Sequence, residues 1–516
     1  MAIQAYARSA PGRPAVSMIS CEQSLTFGAL DDESARLATA LRHRGLGFGD
    51  RLAILLENSV DYFVAAWAAR RAGLRFVPVN WHLTAGEVSY VLSNSDSKAV
   101  VTSAALLPLT EQARPRVCLI AQSDTSAGLP EEVEDLDTVV AASAPLSAAE
   151  SQEGSFMPYS SGTSGRPKGI LLPLCGERFG GLIPFERLVA SRYGFDADTV
   201  YLCPAPLYHT APLGWSMAAQ ALGGHVVLMD RFEPEACLAA IERFRITHAQ
   251  FVPTHFVRML RLPASVRSKY DLSSLRVAIH SAAPCPVQVK EQMIAWWGPI
   301  IHEYYGASEG AGFVGLDSIE WQSHRGSVGS ARSLTGHVSG SAHETPIRIV
   351  DQNTGAVLGP HEIGTIYFTN APRFEYHKDP RQTAEVFNAA GWGTIGDVGY
   401  LDAEGYLYLT DRKGHMIISG GVNIYPQEVE GVLAVHPAVA DVAVIGVPNE
   451  EFGEEVKAVI QLAVDDHTSL RDDLMTYCRS QLAGYKCPRS IEFVKELPRM
   501  PNGKLLKRRL REQYWS

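Results

Sequence analysis

The sequence predicts an α/β protein with mostly parallel sheets, followed by an antiparallel, barrel-like stretch and a small α+β unit. Three observations carry this. Short β-branched or apolar runs recur between helical stretches over the first three hundred residues or so. From about residue 320 to 410 the texture changes to short strands punctuated by glycine. Beyond "DRKGHMIISGG" a last set of apolar and amphipathic segments follows, sufficient for a unit of about a hundred residues.

Taken in order, "RLAILLE", "FVPVN", "AVVTS", "HVVLMD", "THAQFVP" and "LRVAIHS" are the early strand candidates. Several are nearly apolar throughout, as strands covered on both faces are. Amphipathic segments such as "PEACLAAIERFRI" lie between them, and that alternation indicates α/β layers. "GSVGSA", "PIRIVD", "GTIYFTN" and "GYLYLTD" supply the antiparallel part. "YPQEVEGVLAVHP", "VADVAVIGVPNE" and "EVKAVIQLAV" supply the last unit, which ends in the basic segment "PNGKLLKRRLREQYWS". The chain contains no repeats and no low-complexity linkers.

At 516 residues the chain exceeds one compact core, so two or more domains are expected. Hydrophobic residues make up 46% and charged residues 20%, which excludes disordered and fibrous classes. The formal net charge of −10 argues against a broad nucleic-acid surface but leaves room for a local basic pocket. No apolar run is long enough to span a membrane, and the N-terminus lacks a charged-then-apolar signal segment. The eight cysteines form no CxxC pair, so reduced core thiols and a cytoplasmic setting are expected.

The segment "YSSGTSGRPKGI", Tyr159 to Ile170, concentrates phosphate-suited groups. Gly162 and Gly165 allow close backbone approach; Ser160, Ser161, Thr163 and Ser164 carry hydroxyls; Lys168 adds charge. A Walker A loop needs G-x-x-x-x-G-K-[ST], whereas Arg166 and Pro167 separate Gly165 from Lys168 here. The lysine also leads into the apolar run "GILLPL" rather than into a helix. A P-loop NTPase is therefore disfavoured.

The loop resembles the phosphate loop of the adenylate-forming superfamily, which groups acyl-CoA synthetases, peptide-synthetase adenylation domains and firefly-type luciferases. Further segments resembling that family follow in order: "PLYHTAP", "SAAPCP", "EYYGASE", "GWGTIGD", "DRKGHMIISGGVNIYPQEVE" and "PNGK". Among its members the chain is most similar to acyl-CoA synthetases. The resemblance implies a large N-terminal domain, residues 1–413, of two α/β sheet subdomains plus the barrel-like one. It also implies a small mobile α+β C-terminal domain, residues 414–516.

In the implied reaction a carboxylate attacks the α-phosphate of ATP to give acyl-AMP and release pyrophosphate, and the CoA thiol then takes the acyl group and releases AMP, with Mg²⁺ as the metal. By resemblance, Ser160 to Lys168 bind the β- and γ-phosphates, Ser308 the α-phosphate, and Glu309 the magnesium. Ser281, Ala282, Ala283 and Pro284 border adenine within the nucleotide site, which also takes in Glu303 and Gly306, and Tyr304 or Tyr305 stacks on the base. Asp397 and Arg412 hold the ribose; a carboxylate suits vicinal hydroxyls because it accepts two hydrogen bonds. His209 stands at the acyl end and on the thiol path. Thr210, Ala211, Trp215, Gln250, His255 and Gly310 are assigned to the acyl pocket by position. Gly420 and Gly421 border the pantetheine tunnel, Gly414 is the hinge, and Lys504 is the mobile catalytic lysine. Rotation of the small domain would exchange the "PNGK" face for the "SGG" face.

The sequence departs from the family pattern at several positions. Gly414 replaces the usual Asp or Lys of the hinge, Ile395 replaces a hydroxyl residue before Gly396-Asp397, and Pro173-Leu174 replaces a Thr-His pair. Both half-reactions are still expected, and these departures leave an enzyme performing mainly one of them as an alternative. The acid is undetermined: medium or long fatty acids, aryl acids and polycyclic acids remain open, as does a homodimer. An alternative acceptor is the phosphopantetheine arm of a carrier protein. A catalytically inactive nucleotide-binding regulator is disfavoured by retention of Lys504, Glu309 and Asp397.

Overall fold

The computed structural model describes residues 3–121, 129–160, 167–174, 176–330, 346–412, 416–419, 422–463, 470–499 and 505–515. The chain divides into two compact units. One comprises Met1–Gln250, Leu262–Ala278 and Arg373–Ala384; the other comprises Phe251–Arg261, Ile279–Pro372 and Glu385–Ser516.

The first unit contains two mainly parallel sheets. In one, six parallel strands run in the order Glu134–Asp135, Val117–Ala121, Ser97–Ser103, Arg51–Leu55, Arg75–Pro78 and Ser155–Phe156. Its central strands are the apolar runs picked out above, and they are buried along most of their length. Helices Val60–Arg71 and Ala85–Asn94 connect them. The second of these starts on a reciprocal cap between Thr84 and Glu87. The first is buried on nearly every side, so its terminal arginines need partners. Glu153 and Glu186 hold Arg70, and Asp31 holds Arg71.

In the other sheet of this unit, His248–Phe251, Val200–Cys203, His225–Leu228 and Pro14–Met18 are parallel neighbours, with Ser24–Thr26 antiparallel at the edge. "PEACLAAIERFRI" forms the helix Pro234–Phe244, with proline in its first turn and Glu233 accepting from the Ala236 N–H.

The second unit is antiparallel where the glycine-punctuated stretch predicts it. Strands Ile347–Val350, Gly364–Phe368, Asp397–Leu401, Tyr406–Arg412, Gly329–Ser330, Phe313–Leu316 and Ile301–Gly306 pair in that order. Val314, Val328, Ile347, Ile366, Phe368 and Leu407 form the apolar cluster they share. The pairing begins at Ile301, earlier than the change in texture near 320. Within the β-rich stretch, Arg373–Ala384 belongs instead to the first unit. There Glu375–Tyr376 pairs with Lys168–Leu171 and satisfies backbone groups on that strand's open side.

The last part of the chain is the α+β arrangement expected. Val422–Ile424, Ile417–Ser419, Gly453–Leu462 and Val439–Asn449 are antiparallel, and Ser490–Val494 joins parallel to Gly453–Leu462. Helices Pro426–Leu433 and Leu470–Gln481 contribute Val429, Leu433, Leu474 and Cys478 to its core. The basic tail is partly neutralised: Lys507 pairs with Glu430 at 2.8 Å and Arg511 with Glu454 at 3.0 Å.

Candidate active site

In the first unit, strands Tyr159–Ser160 and Lys168–Leu171 form the two arms of a hairpin, with Ser160 opposite Lys168 and Tyr159 opposite Gly169. The lysine does lead into a strand, and Ile170 is fully buried. Glycine leaves room at 169, where a Cβ would lie 2.5 Å from Met157 Cε and 3.0 Å from the Tyr159 ring. The Tyr159 hydroxyl donates to Asn94 Oδ1 at 2.7 Å, and burial pushes its pKa up. Lys168 Nζ stands 5.8 Å from the centre of the Tyr376 ring. Of the expected phosphate-binding residues, Ser161, Gly162, Thr163, Ser164 and Gly165 lie outside the described residues.

His209 occupies the N-cap position of the helix Thr210–Ala221, so Thr210 and Ala211 lie in its first turn. Its ring sits 4.3 Å from that of Tyr208. Trp215 on the same helix is fully buried against Phe185, Tyr193 and Phe195. That environment is core packing, and the sequence alone did not distinguish it from a pocket wall. Gln250 is buried at the end of its strand.

In the second unit, His255 is buried and accepts from the Val252 N–H through Nδ1 at 3.4 Å. Burial and then Arg258 pull its pKa down to about 3, so the imidazole is neutral. Strand Val277–His280 runs out into the turn Ser281–Pro284. Ala282 there has a left-handed φ of 74°, a strained choice for a residue with a Cβ.

The segment "EYYGASE" is the first arm and tip of a hairpin. Tyr305 lies opposite Val314 and Gly306 opposite Phe313, while Ser308, Glu309 and Gly310 lie in the tip between the arms. Gly310 has φ 67°, which suits glycine, and Glu309 is buried. Side chains alternate across a strand, so Glu303 and Tyr305 point to one face and Tyr304 to the other. Tyr304 stacks on Phe313, with centroids 4.9 Å apart and planes 12° apart. The Tyr305 hydroxyl donates to Asp397 Oδ2 at 2.6 Å.

Glu303 turns inward, to Lys290 Nζ at 2.6 Å. Both side chains are buried, and the ammonium also lies 4.9 Å from the centre of the Trp321 ring. Burial raises the Glu303 pKa against the pull of Lys290.

Asp397 starts its strand directly opposite Arg412. It follows Gly396, whose φ of 81° turns the chain into the strand. Thr394 accepts from the Gly396 N–H at 3.1 Å and donates to the Ile366 carbonyl at 2.7 Å. A hydroxyl thus braces this turn from the position before Ile395. The structure therefore brings Tyr305, Asp397 and the Arg412 backbone together and sets Ser160 against Lys168. Gly414, Gly420, Gly421 and Lys504 lie outside the described residues. Sequence reasoning missed Lys290, Asn94 and the 373–384 segment; in the helix "VQVKEQMIAWW" Lys290 stands among Gln288, Glu291 and Gln292, so nothing local marks it as buried.

This fold, with strands Tyr159–Ser160 and Lys168–Leu171 paired in one unit and an aromatic hairpin closed on an aspartate in the other, is that of an AMP-binding enzyme. The chain belongs to that family: residues 3–372 match the model of the AMP-binding enzyme and residues 428–504 that of the AMP-binding enzyme C-terminal domain. A feruloyl-CoA synthase of an Amycolatopsis species is 34% identical over 501 residues, covering 95% of this chain and 94% of that protein. The fatty acid–[acyl-carrier-protein] ligase ScoC of Streptomyces coeruleorubidus is 31% identical over 532 residues, covering 99% and 95%. Among solved structures, o-succinylbenzoate CoA synthetase (MenE) from Bacillus subtilis, in complex with its acyl-adenylate intermediate, is 27% identical with a TM-score of 0.76, covering 98% of this chain and 97% of that one. Among the described residues no helix is long and apolar enough to cross a membrane, and no group of three or more His, Cys, Asp or Glu could hold a metal ion.

Proposed function

We propose that this protein is an AMP-forming acyl-CoA synthetase that works through an acyl-AMP intermediate. The observation that carries the reading is the 2.6 Å hydrogen bond from Tyr305 to Asp397, with Asp397 paired across the sheet to Arg412. An aromatic face and a carboxylate held in one geometry suit a base and its ribose. This favours Tyr305 over Tyr304 as the adenine platform, since Tyr304 is already covered by Phe313.

Joining a carboxylate to the α-phosphate brings negative oxygens together, so the site must supply donors and cations where that charge develops. Ser160 and Lys168 serve the β- and γ-phosphates with the loop between them, and Ser308 serves the α-phosphate. Lys504 bridges the acid and the α-phosphate, then leaves with its domain. Rotation about Gly414, the boundary we assign between domains 1–413 and 414–516, brings the Gly420–Gly421 turn to the pantetheine path beside His209.

Glu309 fits Mg²⁺, because it offers one hard carboxylate, and this ion commonly takes one or two such ligands and fills its shell with phosphate oxygens and water. Bound there, the ion would supply charge neutralisation at the phosphates. The seven described cysteines are free thiols, in keeping with a cytoplasmic setting.

A carrier-protein thiol as acceptor is the second reading, favoured by the similarity to the acyl-carrier-protein ligase. One assay set separates them. ATP–pyrophosphate exchange is measured across fatty, aryl and polycyclic acids, and the accepted acid is then offered with CoA and with a phosphopantetheinylated carrier. Exchange with CoA thioester formation is expected, and Asp397→Ala should lower exchange about 10- to 100-fold. Absence of exchange with every acid would remove the proposal; acylation of the carrier alone would replace it by the second reading.

A further inference from the structure

The antiparallel ribbon Tyr159–Ser160, Lys168–Leu171 and Glu375–Tyr376 is held from both edges by residues 94–96, where the helix Ala85–Asn94 ends. At one edge Asn94 Oδ1 accepts from the Tyr159 hydroxyl at 2.7 Å. At the other, Asp96 Oδ1 takes Lys378 Nζ at 2.7 Å, and Asp96 Oδ2 lies 3.3 Å from His377 Nε2. His377 in turn donates its backbone N–H to the Gly169 carbonyl at 2.8 Å, beside the cross-strand pair Ile170–Tyr376.

Asp96 and Lys378 both carry left-handed backbone, with φ of 52° and 59°. Asp tolerates that region, but it is unfavourable for a lysine, and such strain persists only where surrounding contacts impose it. Two residues with left-handed backbone, far apart in sequence, are tied to one another by charge at the foot of the hairpin that carries Ser160 and Lys168. Exposed ion pairs are ordinarily weak. This one differs because the pair fixes where a segment from elsewhere in the chain docks against the ribbon.

We propose that Asp96 is a positioning residue for ATP: by clamping His377 and Lys378 it holds the third strand in place, and so sets Lys168 for the terminal phosphates. Asp96 touches no substrate itself. The inference rests on the adenylate-forming reading, in which Lys168 serves the β- and γ-phosphates. It predicts a selective defect. AMP lacks those phosphates, so loss of the clamp weakens ATP and spares AMP.

The test is titration of the full-length protein with MgATP and, separately, with AMP. Asp96→Asn keeps the shape and the tolerance for left-handed backbone while removing the charge. It should weaken MgATP about fivefold and leave AMP within about twofold. Lys378→Met should do the same from the other side of the pair. In a Lys168→Met background, Asp96→Asn should add nothing further. Equal losses for ATP and AMP, an unchanged ATP affinity, or a full second loss on top of Lys168→Met would each overturn the clamp. A wild-type chain that binds neither nucleotide would instead remove the reading beneath it.

Discussion

The ribbon at residues 159–171 and the hairpin at residues 301–316 belong to different units and are stabilised in opposite ways. The ribbon is assembled from a local hairpin and a third strand about two hundred residues further on, and its clamping charges are about half exposed: Asp96 and Lys378 side chains retain 51% and 47% of their accessible surface. The hairpin is local, and its fixing charges are buried, with Lys290 and Glu303 at 0% and 7%. Removing one member of an exposed pair leaves a charge that water can solvate. Removing one member of a buried pair leaves a charge with no solvent and no partner, which costs far more. The same device, one cation on one carboxylate, is thus weakly held in the first region, where we propose that it tunes binding, and maintains structure in the second.

The sharpest way to break that contrast is Lys290→Ala. It should destabilise the protein by about 3–5 kcal/mol, read as a large fall in thermal midpoint. The double substitution Lys290→Met with Glu303→Gln should recover much of the loss, because the orphaned charge is gone. A change no larger than that of Asp96→Asn would erase the distinction between the two regions.

Acid exposes the next difference. Burial and Arg13 pull the pKa of His225 down to about 4 in the first unit, and burial and Arg258 pull that of His255 down to about 3 in the second. Below pH 6.5 the unfolded chain takes up protons that the folded histidines refuse, so stability falls as pH falls. The slope is about 1.4 kcal/mol per pH unit for each histidine, and it flattens as the pH drops through the folded values. Denaturant midpoints between pH 7 and 5 should show this decline, and His225→Gln should reduce the slope. A flat profile would contradict both assignments.

The smallest effect is at the nucleotide itself. Tyr305→Phe removes the hydroxyl held by Asp397 but keeps the ring. It should cost about 1 kcal/mol, about fivefold in KM for ATP, with a smaller change in kcat. A Tyr304→Phe control should leave both parameters nearly unchanged. If Tyr304→Phe were the more damaging, the assignment of the two rings would be reversed.

What could be read in advance follows the same division. "EYYGASE" was legible because its residues are contiguous and strand alternation sorts their directions. The apolar runs were legible because strands covered on both faces have few other compositions. Trp215 was not, since a tryptophan in a helix has the same sequence context whether it lines a pocket or fills a core. Glu303 was read as a nucleotide contact, and only its burial with Lys290 reveals its structural partner. Asp96 and Lys378 are 282 positions apart, so no local pattern links them. Nor does any pattern signal that Ala282 adopts left-handed backbone, or that Thr394 supplies the hydroxyl missing at Ile395.

The late return of Arg373–Ala384 to the first unit has a consequence for biosynthesis. A ribosome must translate more than two hundred residues after Lys168–Leu171 before the strand that covers it exists. Until then the nascent polypeptide carries an uncovered β-edge, the kind of surface that recruits other chains. Completion of the third strand thus couples the end of aggregation risk to the assembly of the ribbon that carries Ser160 and Lys168, and premature termination before residue 373 would yield neither.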